Sequence, residues 1–143
     1  MYKKLVIALI IVGLLQVTAA GAEDFGKFDG TVKAEWIDEP RKMRLLEDFA
    51  YIDQFGEKWE APEGSIVDGA SIPRVLWSVV GAPFTGKYRE ASVVHDVACV
   101  EKNRPWKSVH RMFYNASRLG GVREIKAKVM YAAVRRFGPR WGK

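Results

Sequence analysis

Residues 67–83 read VDGASIPRVLWSVVGAP, and here the chain changes from strand-like to helix-like sequence. Asp68-Gly69 is a turn signal, and Pro73 suits the first turn of a helix, where no amide donor is required. The apolar run that follows predicts a short helix over residues 74–80. We therefore expect the DGASIP segment to be a rigid corner that joins a sheet to helices, with Trp77 mostly buried as its anchor.

The residues before this corner have the alternating pattern of strands. In MRLLEDFAYIDQF, residues 43–55, the large apolar side chains share one parity: Leu45, Phe49, Tyr51 and Phe55. Turn signals at residues 55–58 and 62–64 separate the extended runs. This half of the chain predicts an antiparallel β hairpin or meander over about residues 31–67.

The residues after the corner have helical periodicity. We predict helices over residues 88–101, 107–119 and 122–137, each ended by a glycine or a charged turn. The second of these carries an apolar stripe at helical spacing: Val109, Met112, Phe113 and Ala116. Strands followed by three to four packed helices indicate an α+β fold.

The length and the first residues bound the organisation of the chain. At 143 residues there is room for one domain. Residues 5–17, LVIALIIVGLLQV, follow a basic start and are too few to span a bilayer, and the small residues at 20–22 fit a cleavage pattern. We predict a secretory signal peptide over residues 1–22 and a single periplasmic or secreted domain over residues 23–143. An uncleaved N-terminal anchor is the alternative.

Charge is divided unevenly between the two halves. Residues 23–68 carry 13 acidic and 6 basic side chains, whereas residues 69–143 carry 4 acidic and 15 basic ones. A basic half suits an anionic envelope component, either a lipid headgroup or a cell-wall polymer. Nucleic acid is not expected as the partner of an exported protein. Alternatively, the basic half complements the acidic half within the fold.

The run VVHDVAC, residues 93–99, places two titratable side chains among apolar ones. Buried charges need partners. The other histidine, His110, lies on the next helix, which a short connection makes antiparallel, and Asp68 lies in the corner before the helices. We predict that His95, Asp96, Asp68 and His110 bind a divalent metal ion, zinc or calcium, and that His95, Asp96 and Asp68 are catalytic. The alternative is a satisfied polar network in the core.

Two further residues have the chemistry of nucleophiles. Cys99 is the single cysteine, so it has no internal disulfide partner, and its apolar neighbours predict a buried thiol rather than a reactive one. Ser71 lacks the flanking glycines of a nucleophile elbow. The start of a helix explains this serine better.

These segments resemble a bacterial and phage family that is catalogued as a domain of unknown function, family 1353. The resemblance covers about residues 44–141, and DGASIP, Trp77 and the His95-Asp96 pair carry it. Members of the family usually have aspartate where this chain has His110. The resemblance implies no settled activity.

A second resemblance is to bacterial and fungal phospholipases A2, in which a His-Asp pair on one helix faces an aspartate on an antiparallel helix. It implies that His95 is the base, Asp96 a calcium ligand and His110 the orienting group. The chain departs from this pattern because it lacks disulfide cysteines. It also lacks a glycine-rich calcium loop, unless residues 68–71 take that place.

Two functions follow from these observations. The first is an exported metal-dependent hydrolase that acts on phospholipid or cell-wall polymer. The second is a non-catalytic envelope or phage-derived binding module, in which the same polar residues form a buried network. The hydrolase requires these side chains to meet at an accessible cleft, whereas the module allows them to be sealed.

Overall fold

The computed structural model describes residues 21–37, 41–69 and 71–142. In these ranges the strands come first and the helices follow, so the predicted α+β class is confirmed. The strands are β1 Lys27–Asp29, β2 Ala34–Trp36, β3 Met43–Leu45, β4 Phe49–Ile52, β5 Lys58–Ala61 and β6 Ile66–Val67. The helices are α1 Trp77–Val80, α2 Arg89–Glu101, α3 Trp106–Leu119 and α4 Glu124–Phe137, with 3-10 turns at Arg74–Leu76 and Gly86–Tyr88.

The strands form two small antiparallel sheets rather than one meander. One sheet has the order β1-β4-β5 and the other has the order β2-β3-β6. Phe28 is opposite Tyr51 in the first sheet, and Arg44 is opposite Ile66 in the second. The chain therefore passes between the two sheets three times, after β1, after β3 and after β5.

The central strand β4 supplies much of the sheet's contribution to the core. Phe49, Ala50 and Tyr51 are all buried, which a central strand allows because both of its faces are covered. Phe55 lies beyond this strand, at the turn signal of residues 55–58, and its side chain is 86% exposed. The carboxylate of Asp53 accepts the backbone N–H of Phe55 at 2.9 Å, and this bond holds Phe55 in a turn beyond the strand.

Helix α2 is the central element of the fold. It packs against α3 and against strands β4, β5 and β6, so that side chains on every face of the helix are buried. The buried set is Ala91, Ser92, Val93, Val94, His95, Asp96, Val97 and Cys99. Residues 91–97 are all buried, so the histidine and the aspartate lie in the core. The exposed side chains of the helix lie at its ends, among them Val100, which is 72% exposed.

Helix α3 packs against α2, and α4 packs against α3. The predicted stripe of Val109, Met112, Phe113 and Ala116 is buried, and α3 begins one residue earlier than predicted. Helix α4 packs on α3 and ends at Gly138. The connection between α2 and α3 is four residues long, which makes these two helices close neighbours.

Residues 68, 69 and 71–73 form the corner between β6 and the helices, as predicted. Gly69 has φ +71°, and a Cβ at this position would lie 2.4 Å from Cγ of Pro83, so the corner requires glycine. The expectation of a mostly buried Trp77 needs correction, because its ring is only partly buried at the edge of the core. The adjacent Leu76 fills the core position instead.

Among the described residues, no helix has the length and apolar character needed to cross a membrane. The apolar run at residues 5–17 lies outside the described ranges. The signal peptide therefore stays a prediction.

Candidate functional site

Two helices bring the histidines together in the core. His95 on α2 and His110 on α3 are both 0% exposed, and the distance from His95 Nε2 to His110 Nδ1 is 2.9 Å. His110 Nε2 donates to the carbonyl oxygen of Pro139, which is 2.9 Å away. The position of His110 at the border of the α3 stripe thus predicted its contact with α2 correctly.

The DGASIP corner meets the opposite side of His95. Ser71 Oγ lies 3.2 Å from His95 Nδ1, and the Ser71 hydroxyl also bonds the carboxylate of Asp96. Asp96 accepts the backbone N–H of Asp68 at 2.9 Å and that of Ser71 at 3.4 Å. Asp96 therefore fixes the corner to α2, and Ser71 links the aspartate to the histidine pair.

Burial sets the protonation preferences of these groups. It lowers the pKa of His95 well below the usual value, and the neighbouring His110 lowers it further. Burial also lowers the pKa of His110, while its bond to Pro139 opposes that shift. Burial raises the pKa of Asp96, and the amides and hydroxyl that it accepts oppose the rise. Both imidazoles are therefore favoured in the neutral form.

Cys99 completes a possible ligand group that the sequence analysis did not identify. Its Sγ lies 3.7 Å from His95 Nε2, one helical turn further along α2. The ligand atoms of His95, Cys99 and His110 all lie within 4.8 Å of one another, close enough to hold a metal ion. Burial raises the pKa of the Cys99 thiol to about 12. The i, i+4 spacing of His95 and Cys99 was the signal in the sequence.

The predicted aspartates lie on the other side of the cluster. Asp96 is buried and is joined to His95 through Ser71. Asp68 is partly exposed, and its backbone N–H joins it to Asp96. Of the four predicted ligands, the structure thus brings His95 and His110 into direct contact. The two aspartates are grouped at the corner.

A surface pocket of about 330 Å³ opens on the outer side of the corner. Its walls are Arg41, Lys42, Asp68, Ile72, Pro73, Arg74 and Trp77. The indole N–H of Trp77 donates to the carbonyl oxygen of Ile72 at 3.2 Å, which fixes the ring at the edge of the pocket. The DGASIP segment therefore has a sealed polar network on one side and an open pocket on the other.

Comparisons with known proteins identify relatives of the whole domain. The profile of the family described as "Protein of unknown function (DUF1353)" matches residues 43–134. The uncharacterized protein y4jT of Sinorhizobium fredii (strain NBRC 101917 / NGR234) is 45% identical over 141 residues, which cover 97% of this chain and 42% of that protein. The uncharacterized protein y4iH of the same strain is 43% identical over 98 residues, which cover 68% of this chain and 41% of that protein.

The chain therefore spans about two fifths of the length of these relatives. No solved structure matches it.

Proposed function

The chain belongs to the DUF1353 family, and we propose that it is a non-catalytic module that binds an anionic group in the pocket beside Trp77. The observation that carries this proposal is the composition of the pocket wall. Among the described residues, the wall has three cationic side chains, Arg41, Lys42 and Arg74, and one carboxylate, that of Asp68. Such a concave cationic surface favours phosphate or carboxylate groups.

The aromatic wall adds a second element of recognition. The guanidinium carbon of Arg41 lies 5.2 Å from the centroid of the Trp77 ring, and that of Arg74 lies 5.7 Å from it. Both arginines are thus held beside the indole by cation–π attraction. A ligand with an anionic group next to an apolar or planar part would contact the cations and the ring together.

The backbone at Arg41 also favours a binding role. Its φ is +65°, in the left-handed region that side-chain-bearing residues adopt at a cost in free energy. Residues held in this conformation are concentrated at binding and catalytic sites. Here the conformation accompanies the placement of the Arg41 side chain against Trp77.

The sealed histidines favour binding over catalysis. His95 is fully buried, and both of its ring nitrogens lie within hydrogen-bond distance of a partner, Ser71 or His110. A general base must reach a proton of the substrate, and this histidine has no exposed atom with which to do so. The buried network is better suited to stabilising the inner side of the DGASIP corner.

The envelope is the location that we propose for this binding. The predicted signal peptide leads to the periplasm or the exterior, where anionic lipid headgroups and cell-wall polymers present phosphate and carboxylate groups. The basic charge of residues 69–143 would strengthen association with either surface. N-terminal sequencing of the exported protein, with Glu23 expected as its first residue, tests this location.

Vesicle binding tests the pocket directly. Wild-type protein should sediment with vesicles that contain phosphatidylglycerol and not with vesicles of phosphatidylcholine alone. Arg74→Gln should weaken the binding roughly tenfold, the equivalent of about 1.4 kcal/mol. The matched control is Arg123→Gln, which removes the same charge from the exposed start of α4 and should change the binding less than twofold.

Soluble cell-wall fragments separate the two anionic partners, because a protein selective for the polymer would bind them in preference to the vesicles. Equal losses in Arg74→Gln and Arg123→Gln would show that the attraction is diffuse and would contradict the pocket. Failure of the wild type to bind either surface would contradict the proposal as a whole.

A metal-dependent hydrolase is the second candidate, and one observation favours it. Ser71 Oγ, His95 and His110 lie in series, an order of hydroxyl, base and orienting group that activates nucleophiles in other proteins. Assays with phospholipid and cell-wall substrates, with and without added zinc or calcium, test this candidate. Hydrolysis that is lost in Ser71→Ala would establish an enzyme.

A further inference from the structure

The buried cluster brings ring nitrogens of the two histidines into direct contact, with a thiol beside them. Pro139 O only accepts, so the proton of neutral His110 lies on Nε2 and its Nδ1 carries a lone pair. Ser71 Oγ lies 3.2 Å from His95 Nδ1 and can donate to this nitrogen or accept from it, because a hydroxyl does both.

His110 Nδ1 lies 2.9 Å from His95 Nε2. With the proton of His95 on Nε2, the two rings share one hydrogen bond; with that proton on Nδ1, both facing nitrogens can bind a metal ion, which takes imidazole in its neutral form. The Cys99 thiol beside this pair favours the metal ion, because His95, Cys99 and His110 bring three ligand atoms within 4.8 Å of one another.

We infer that His95 Nε2, His110 Nδ1 and Cys99 Sγ bind one zinc-type metal ion, which forms part of the folded core. The assignment extends beyond anion binding at the pocket and does not depend on it. It also replaces both predicted aspartate ligands with Cys99. Two nitrogens and a thiolate are a ligand set that zinc accepts.

The distances suit this assignment after a small adjustment. Zinc bonds of about 2.0–2.1 Å to nitrogen and about 2.3 Å to sulfur place tetrahedral ligand atoms roughly 3.3–3.6 Å apart. The Sγ–Nε2 distance is 3.7 Å and the nitrogen pair is at 2.9 Å. The two imidazoles need to separate by a few tenths of an ångström, and the ligand atoms of Cys99 and His110, which lie within 4.8 Å of each other, need to reach the same tetrahedral separation.

The surrounding groups match the outer partners of zinc-bound histidines. Such histidines donate their other ring N–H to a carbonyl or towards a carboxylate. His110 donates to Pro139 O, and His95 is linked through Ser71 to Asp96. Charge is also balanced, because the thiolate and the Asp96 carboxylate together offset the two positive charges of the ion.

The burial of the ligands indicates a structural role. His95 and His110 are 0% exposed and Cys99 is 6% exposed, so substrates have no path to the ion. Three protein ligands are one fewer than in most structural zinc sites. We therefore expect weaker binding than at a four-ligand site, and a folded protein that becomes less stable when the ion is removed.

Metal analysis and cobalt spectroscopy test the site. Wild-type protein produced with zinc should retain one equivalent per chain after desalting, and a chelator should lower its Tm. After Co²⁺ replaces zinc, a thiolate-to-cobalt charge-transfer band should appear in the near ultraviolet. This band reports Cys99 in the wild-type chain, so the test does not depend on a variant that folds.

Three variants identify the ligands. Cys99→Ala should lose the metal and its response to chelator. Ser92→Ala, which changes another buried small side chain on the same helix, should keep both. Asp96→Asn should keep the cobalt band but bind roughly 10–100-fold more weakly, as expected for an outer partner.

Several results would overturn the inference. A wild-type protein that retains no zinc, gives no cobalt–thiolate band and has the same Tm with chelator is metal-free. Ser71 would then donate to His95 Nδ1, His95 Nε2–H to His110 Nδ1 and His110 Nε2–H to Pro139 O, a continuous row of hydrogen bonds. Zinc that survives in Cys99→Ala would likewise show that the ligand set is wrong.

Discussion

The inner and outer sides of the DGASIP corner differ in almost every physical property. On the inner side, Ser71 joins His95 and Asp96 in a sealed network whose polar atoms bond one another. On the outer side, Arg41 and Arg74 flank a partly buried Trp77 at an open pocket. Groups that bond each other in the core stabilise the fold, whereas cations held at the surface remain available to a ligand. On the proposed function, the corner thus separates stability from recognition within a few residues.

The largest effect should follow from breaking the inner side at its centre. His95→Ala leaves a cavity and removes the partners of both Ser71 and His110, so the free energy of unfolding should fall by about 3–5 kcal/mol. Urea denaturation measures this loss. The matched control Ser92→Ala removes one hydrogen bond, to Tyr88 O, and should reduce stability by about 1 kcal/mol. A smaller loss for His95→Ala than for the control would contradict the structural role.

Gly69→Ala should damage both sides at once. The new Cβ would meet Pro83 at a backbone φ of +71°, and we expect a loss of about 2–4 kcal/mol together with weaker anion binding. Gly64→Ala is the matched control, because φ there is +81° with nothing within 4 Å, and it should lose only about 1–2 kcal/mol. Equal losses of stability in the two variants, measured by thermal or urea unfolding, would show that the positive φ alone, and not the contact with Pro83, causes the loss.

Lowering the pH should reduce the stability that the inner side of the corner provides. Burial lowers the pKa of both His95 and His110. Below about pH 6.5 these imidazoles are therefore protonated in the unfolded chain while they stay neutral in the folded chain. The free energy of unfolding should therefore fall as the pH falls through this range, by up to about 1.4 kcal/mol per pH unit for each imidazole. Urea titrations between pH 7.5 and about pH 5.5 measure the slope. A flat profile would mean that the imidazoles titrate normally.

The smallest change in stability should follow from breaking the outer side. Trp77→Ala removes a partly buried ring and its bond to Ile72 O. We expect a loss of about 1–2 kcal/mol, below the range for a fully buried aromatic residue, together with the loss of vesicle binding. Tm and vesicle sedimentation of the same preparation give both values. A Trp77→Ala variant that is strongly destabilised yet still binds vesicles would contradict the assignment of ligand binding to the outer side.

Local sequence signals predicted much of the fold because they depend on short-range physics. Periodicity and glycine stops placed α3 and α4 within one or two residues of their observed bounds. The i, i+4 pattern of α3 also indicated that His110 borders its buried stripe. The turn signal at residues 55–58 likewise indicated that the strand ends before Phe55, where the Asp53 side chain holds the backbone of the turn.

The sequence by itself determined the α+β order, the corner at Gly69 and the pairing of the two histidines across neighbouring helices. Only the tertiary structure decided that residues 91–97 of α2 are all buried, which seals His95 and turns Asp96 towards the corner. It also decided that Cys99 joins the histidines and that Arg41 reaches Trp77. These contacts join residues that are far apart in the chain or on different elements, and their distances depend on how whole elements pack, which no local pattern records.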